Sequence, residues 1–160
     1  MEFEMSEKLV VYDSFFGNTE KIAQAIGVAL GDAMVKRVSE VTPQDLADLK
    51  ILFVGSPTRA FSPSPETKIF LKNLGVNTLC GVKAAAFDTR IPKDQAESSF
   101  LRFMINLFDY ADKKIAKALS KAGAELPLEN AGFGVKGTEG PLIDGELERA
   151  KQWASGIFAE

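Results

Sequence analysis

Apolar positions along the chain fall into two alternating rhythms. Short apolar runs at Lys8 to Tyr12, Met34 to Val38, Ile51 to Gly55, Ala84 to Phe87 and Gly132 to Lys136 read as five strands. Between them the apolar residues recur every three or four positions. Ile22, Ala25, Ile26, Ala29 and Leu30 share one helix face, with Glu20, Lys21 and Gln24 on the other and Gly31 ending the helix. Ser64 before Pro65 supplies an N-cap with proline at the first helical position, which predicts a helix over Glu66 to Leu74. Asp144 similarly predicts the start of a last helix that buries Leu147, Ala150, Trp153, Ala154, Ile157 and Phe158, so Trp153 reads as core rather than ligand contact.

The third and fourth strands are apolar on both faces, as a parallel sheet covered on both sides requires. Strands alternating with helices then give a doubly wound α/β fold in a single domain over residues 1–160. The stretch from about Gln95 to Ala122 lacks proline and glycine, and one apolar stripe runs through it from Phe100, Phe103, Met104, Leu107 and Phe108 to Ala111, Ile115, Ala118 and Leu119. Leu101 and Ile105 lie beside it on a second face; most of the stripe reads as core, and the surplus width near Phe100 to Phe108 offers a cover for a cofactor region or a dimer contact.

The chemistry concentrates where the first strand runs into Asp13-Ser14-Phe15-Phe16-Gly17-Asn18-Thr19-Glu20 and at once opens a helix. A helix start leaves its first N–H groups unpaired and partly positive, so a phosphate there gains hydrogen bonds without a lysine. Gly17 lets the backbone approach the anion, and Ser14, Asn18 and Thr19 add short donors. A P-loop or a dinucleotide-binding glycine fingerprint is excluded, because this turn has one glycine and no lysine. Asp13, a carboxylate beside a prospective phosphate, is expected to turn away and bond neighbouring N–H groups.

Composition narrows the alternatives. With no histidine and a single cysteine, Cys80, a His-based triad, a Cys/His zinc site and a disulfide are all excluded, and Cys80 is expected to be a structural thiol. Net charge is only −3, with both signs interspersed, so no nucleic-acid or membrane partner is expected. The acidic start, Met1 to Glu7, does not read as a signal peptide, and the expected location is cytoplasmic.

Two further loops leave the carboxyl edge of the sheet, Gly55-Ser56-Pro57-Thr58-Arg59-Ala60-Phe61-Ser62-Pro63 and Phe87-Asp88-Thr89-Arg90-Ile91-Pro92. With these loops and Ser14 to Thr19 the chain resembles the flavodoxin family over nearly its whole length. The resemblance implies a flavodoxin-like three-layer sandwich, a five-stranded parallel sheet in order 2-1-3-4-5, and non-covalently bound FMN. It implies that Ser14, Phe15, Phe16, Gly17, Asn18 and Thr19 hold the phosphate with Thr58 nearby, that Pro57, Arg59, Ala60 and Phe61 border the ring on one side, and that Asp88, Thr89 and Arg90 border it on the other. The short run from Lys136 to Asp144 matches short-chain members.

The chain also departs from that family. Many members sandwich the ring between tryptophan and tyrosine and surround it with acids, whereas here Arg59 or Phe61 stands on one side and no aromatic lies within Asp88 to Lys93. One flavin face is therefore expected to be open, and Arg59 and Arg90 to raise the reduction potential unless they pair with Asp88 and Glu66. The resemblance implies an electron carrier with a reductase and an acceptor as protein partners, monomeric or weakly dimeric. The alternative on the same fold is an FMN-dependent NAD(P)H:quinone oxidoreductase. A receiver domain is disfavoured because the third strand ends in Ser56-Pro57-Thr58 without a phosphoacceptor aspartate, and a cysteine phosphatase because the first loop has no cysteine.

Overall fold

The computed structural model describes residues 6–59, 61–92, 98–100, 102–103 and 110–159. Five strands, β1 (Lys8–Tyr12), β2 (Met34–Arg37), β3 (Ile51–Pro57), β4 (Lys83–Arg90) and β5 (Ala131–Gly134), form one parallel sheet in the order β2-β1-β3-β4-β5. Helices α1 (Asn18–Leu30) and α4 (Glu146–Ser155) cover one face, and α2 (Pro65–Lys72) and α3 (Ala111–Lys121) lie on the other. This is the three-layer sandwich and strand order expected from the sequence.

The three central strands β1, β3 and β4 feed both layers, while β5 adds Phe133 to one. Val10, Tyr12, Phe53, Ala85, Phe87 and Phe133 pack with α1 and α4, while Leu9, Val11, Leu52, Val54, Ala84 and Ala86 meet Ile115 and Leu119 of α3. That is the period-two alternation of strands buried on both sides. Trp153 completes the first layer, edge-on to Phe53, Phe133 and Phe87 at centroid distances of 5.3, 5.9 and 6.2 Å, and its indole N–H donates to the Glu129 carbonyl. It is half-buried and packs against the core, as its helical spacing predicts.

Several boundaries differ from the sequence reading. β3 and β4 run on to Pro57 and Arg90, pairing Ser56 with Asp88 and Pro57 with Thr89, so part of each expected loop is strand. The polar residues there are buried in the ladder, which a pattern based on hydrophobicity reads as loop. The last helix starts after Gly145, whose φ of 89° places it in the left-handed region, and Asp144 is solvent-exposed. Ala150, Ala154 and Ile157 are buried as expected, but Leu147 and Phe158 are exposed. Ser64 does cap α2, accepting from the Thr67 N–H, and Gly31 does end α1.

The long apolar segment is not one helix. Tyr110 is extended, with φ −110° and ψ 173°, and α3 starts only at Ala111. Ala111, Ile115 and Leu119 are buried, Ala118 is half-buried, and Phe100 and Phe103 are exposed. Leu101, Met104, Ile105, Leu107 and Phe108 lie outside the described residues. Cys80 is exposed, and its thiol donates to the Asn77 side chain. No helix among the described residues is long and apolar enough to cross a membrane.

Gly55 is required by the core. A Cβ built there would stand 2.1 Å from the Phe87 ring. Gly55→Ala is expected to lower stability by about 1–3 kcal/mol, read as the urea midpoint at unchanged slope. A midpoint equal to that of the wild type would contradict this packing.

Candidate functional site

The winding direction of the sheet reverses between β1 and β3, and a crevice opens there at the carboxyl ends of the strands. It holds a cavity of about 380 Å³ to which all three sequence-predicted loops contribute. This volume falls within the range of small-molecule sites.

The loop after β1 is built to free a helix start. Asp13 is buried; its carboxylate accepts from the Ser14 N–H at 2.9 Å and from Arg37 at 3.2 Å, and Arg37 also donates to the Ser14 carbonyl. It is therefore turned to its own loop, as expected. The Ser14 hydroxyl accepts from the Gly17 N–H at 3.0 Å and closes the turn. Gly17 has φ 90°, and a Cβ there would meet nothing, so backbone conformation rather than space calls for glycine. Among the described residues no side chain caps the first turn of α1.

The next two residues tie this loop to others. Asn18 donates to the Glu139 carbonyl at 3.1 Å, and Gly140 is pressed so close that a Cβ would meet the Asn18 amide at 2.6 Å. Thr19 and Thr89 share a buried hydroxyl hydrogen bond of 2.7 Å. Phe15 and Phe16 are 48% and 46% exposed at the cavity wall.

In the second loop, the Thr58 hydroxyl accepts from the Ala111 N–H at 3.0 Å and so caps α3 across the fold. Arg59 and Ser62 exchange two backbone hydrogen bonds of 2.8 and 2.9 Å around Phe61, which takes a left-handed φ of 64°. The Arg59 guanidinium lies over the Phe15 ring at 4.8 Å. Arg59 forms no ion pair among the described residues. Pro57, Thr58, Arg59 and Phe61 all line the cavity, and Ala60 lies outside the described residues.

The third loop differs most from expectation. Asp88 does not line the cavity; it has no solvent exposure and accepts twice from Arg90, at 2.6 and 2.7 Å, and once from the Asp112 N–H at 3.0 Å. Arg90 also pairs with Asp112 at 3.2 Å and lies on the Tyr110 ring at 3.7 Å. Gly132 leaves it room, since a Cβ there would stand 2.1 Å from the guanidinium. Arg90 lines the cavity with its charge already matched by two carboxylates, so of the two arginines only Arg59 brings an unpaired cation.

Sequence reasoning missed Tyr110, Ile91, Val135 and Thr138 in the cavity wall. Tyr110 supplies the aromatic that Asp88 to Lys93 lacks, and its hydroxyl donates to the Ile91 carbonyl at 3.1 Å. Its signal is faint, a tyrosine directly before the apolar stripe of α3. An uncapped helix start and a serine hydroxyl at one end, with Phe15, Phe16, Phe61 and Tyr110 around the rest, suit a flat aromatic group bearing an anion. Among the described residues no cluster of His, Cys, Asp or Glu could hold a metal ion.

Burial pushes the Asp88 carboxyl up to about 6, against the opposing pull of its hydrogen bonds from Arg90 and the Asp112 N–H, with the nearby Asp112 carboxylate adding to the rise. Between the ordinary value of 3.8 and about 6 the folded chain then holds a proton that the unfolded chain has lost. Stability from this group is full below that window and falls as pH rises through it. The wild type is expected to lose about 2 kcal/mol relative to Asp88→Asn between pH 4 and pH 7, measured by urea unfolding at each pH. A wild-type advantage that instead grows with pH would show that Arg90 outweighs burial.

No protein-family model and no curated protein matches this chain. Solved structures do match it. Oxidised flavodoxin 2 from Bacillus cereus superimposes with a TM-score of 0.74 at 22% identity, over 95% of this chain and 97% of that one. A flavodoxin from the domain Archaea gives 0.71 at 22% identity over 94% of each chain, and a flavodoxin, WrbA-like protein from Agrobacterium tumefaciens gives 0.67 at 16% identity over 94% and 93%. The shared strand order and the near-complete mutual coverage agree with the fold expected from the three loops: this chain has the flavodoxin-like fold.

Proposed function

We propose that this protein binds FMN non-covalently and carries electrons between redox proteins. One observation carries the reading: a single cavity joins the uncapped start of α1 to a slot walled by Phe15, Phe16, Phe61 and Tyr110. Phe15, Phe16, Asn18 and Thr19 would hold the phosphate through backbone N–H groups, with the Ser14 hydroxyl, while the N–H groups of Ser14 and Gly17 are taken up within the loop and Gly17 shapes the turn. The aromatic residues, with Pro57, Thr89 and Arg90, would border the isoalloxazine. The fold that the chain shares with solved flavodoxins supports this reading.

The flavin would supply the electron transfer, and the protein sets where it sits and how readily it takes negative charge. Arg59 is the residue that would favour the reduced, more negative form, since Arg90 is held by Asp88 and Asp112. Nothing in this scheme requires a catalytic side chain. A second reading, an NAD(P)H:quinone oxidoreductase, is favoured by the half-exposed Phe15 and Phe16, which leave the cavity mouth open to a small substrate.

The test is to load the purified protein with excess FMN, remove the unbound part, record the visible spectrum, and titrate anaerobically with NADPH. Retained flavin that NADPH leaves oxidised is expected for a carrier. Direct reduction would favour the oxidoreductase, and absence of retained flavin would contradict both. In the retained complex, Arg59→Gln is expected to lower the midpoint potential by on the order of 50 mV; an unchanged potential would remove Arg59 from this role.

A further inference from the structure

Charge is unevenly divided between the two helix layers. The chain has a net charge of −3, yet α2 and α3 carry Lys68, Lys72, Lys113, Lys114, Lys117 and Lys121 against only Glu66 and Asp112. All six lysines are exposed, on the side of their helices away from buried Thr67, Ile115 and Leu119. None of Lys68, Lys72, Lys114, Lys117 and Lys121 forms an ion pair among the described residues, and Asp112 is engaged by Arg90. On α1 and α4 the signs balance, Glu20 with Lys21, and Glu146 and Glu148 with Arg149 and Lys151.

This basic layer reaches the cavity mouth. Thr58 caps α3, and Lys114 Nζ donates to the Ser62 hydroxyl at 2.9 Å, on the loop that presents Arg59 and Phe61. Beside them stand the half-exposed rings of Phe15 and Phe16. An apolar centre bordered on its α3 side by exposed lysines has the anatomy of a protein interface, with the charge steering the encounter. A nucleic acid or an anionic membrane suits it less, because both draw domains whose overall charge is positive.

We propose that the α2/α3 face and the adjoining cavity mouth dock an acidic protein. On the electron-carrier reading above, from which the partner's redox role follows, that protein exchanges electrons with the cavity. Its acidic patch would meet the lysines of α2 and α3, and its apolar centre would meet Phe15 and Phe16.

The experiment titrates the ¹⁵N-labelled, FMN-treated protein with an acidic rubredoxin and, separately, with basic cytochrome c, a short DNA duplex and phosphatidylserine vesicles, following amide shifts. Rubredoxin is expected to shift residues 58–62 and 113–121. Its affinity is expected to fall about tenfold between about 20 mM and 0.3 M salt. The charge-reversed pair Lys117→Glu and Lys121→Glu, which lies outside the cavity wall, is expected to weaken binding by a similar factor with unchanged thermal stability. Shifts elsewhere, indifference to salt or to charge reversal, or tighter binding of cytochrome c, DNA or vesicles would overturn the proposal. Because amide shifts on adding the partner report docking whether or not flavin is bound, docking without retained FMN would support this surface and sink the carrier reading, whereas retained FMN without docking would do the reverse.

Discussion

The buried carboxylate of Asp88 organises the mouth of this fold. An ionised carboxylate without solvent is costly unless every oxygen is engaged, and here the engagement comes from two sides: Arg90 on its own strand, which donates twice, and the first turn of α3 through the Asp112 N–H. Once Arg90 is drawn in to Asp88, its other side is free to bear on Tyr110, which becomes a wall of the cavity. Thr58 takes the neighbouring N–H of α3. The end of β4, the loop after β3 and the start of α3 are thereby locked together, and the cavity is the space they leave against the first loop.

How the sequence announces this architecture depends on scale. Val10, Phe53, Leu52 and Val54 carry a pattern that only a strand covered on both faces can satisfy, and Gly17, Gly31 and the Ser64-Pro65 pair punctuate the chain where helices start and stop. The three site loops were legible for the same reason, since they follow directly from strand ends. The tertiary use of their polar groups was not. Thr58 and Asp88 look like ligand donors in the sequence, but they accept from N–H groups of the first turn of α3, 53 and 24 residues later.

Other differences follow from the same physics. Periodicity alone carries α3 back through Tyr110 toward Gln95, because the stripe of apolar residues has no proline or glycine to stop it. The stop comes from outside, from caps supplied by Thr58 and Asp88. Gly145 starts α4 by adopting a left-handed φ, so the capping rule that favours Asp144 does not apply. The pairing of Arg90 was among the sequence alternatives, and the buried ladder beyond Gly55 and Phe87 decides it by placing Asp88 and Arg90 on the same face, two residues apart.

The functional account joins two halves of one cavity, a helix start that favours an anion and a slot of aromatic rings that favours a flat ligand. Calorimetric titration with FMN and, in parallel, with riboflavin separates these halves. The account predicts that FMN binds and that riboflavin, which keeps the ring and lacks the phosphate, binds at least about tenfold more weakly, as loss of charge-assisted hydrogen bonds to the first turn of α1 requires. Equal affinity for the two ligands would contradict the phosphate cradle at Ser14 to Thr19, and failure of both to bind would contradict the flavin site itself.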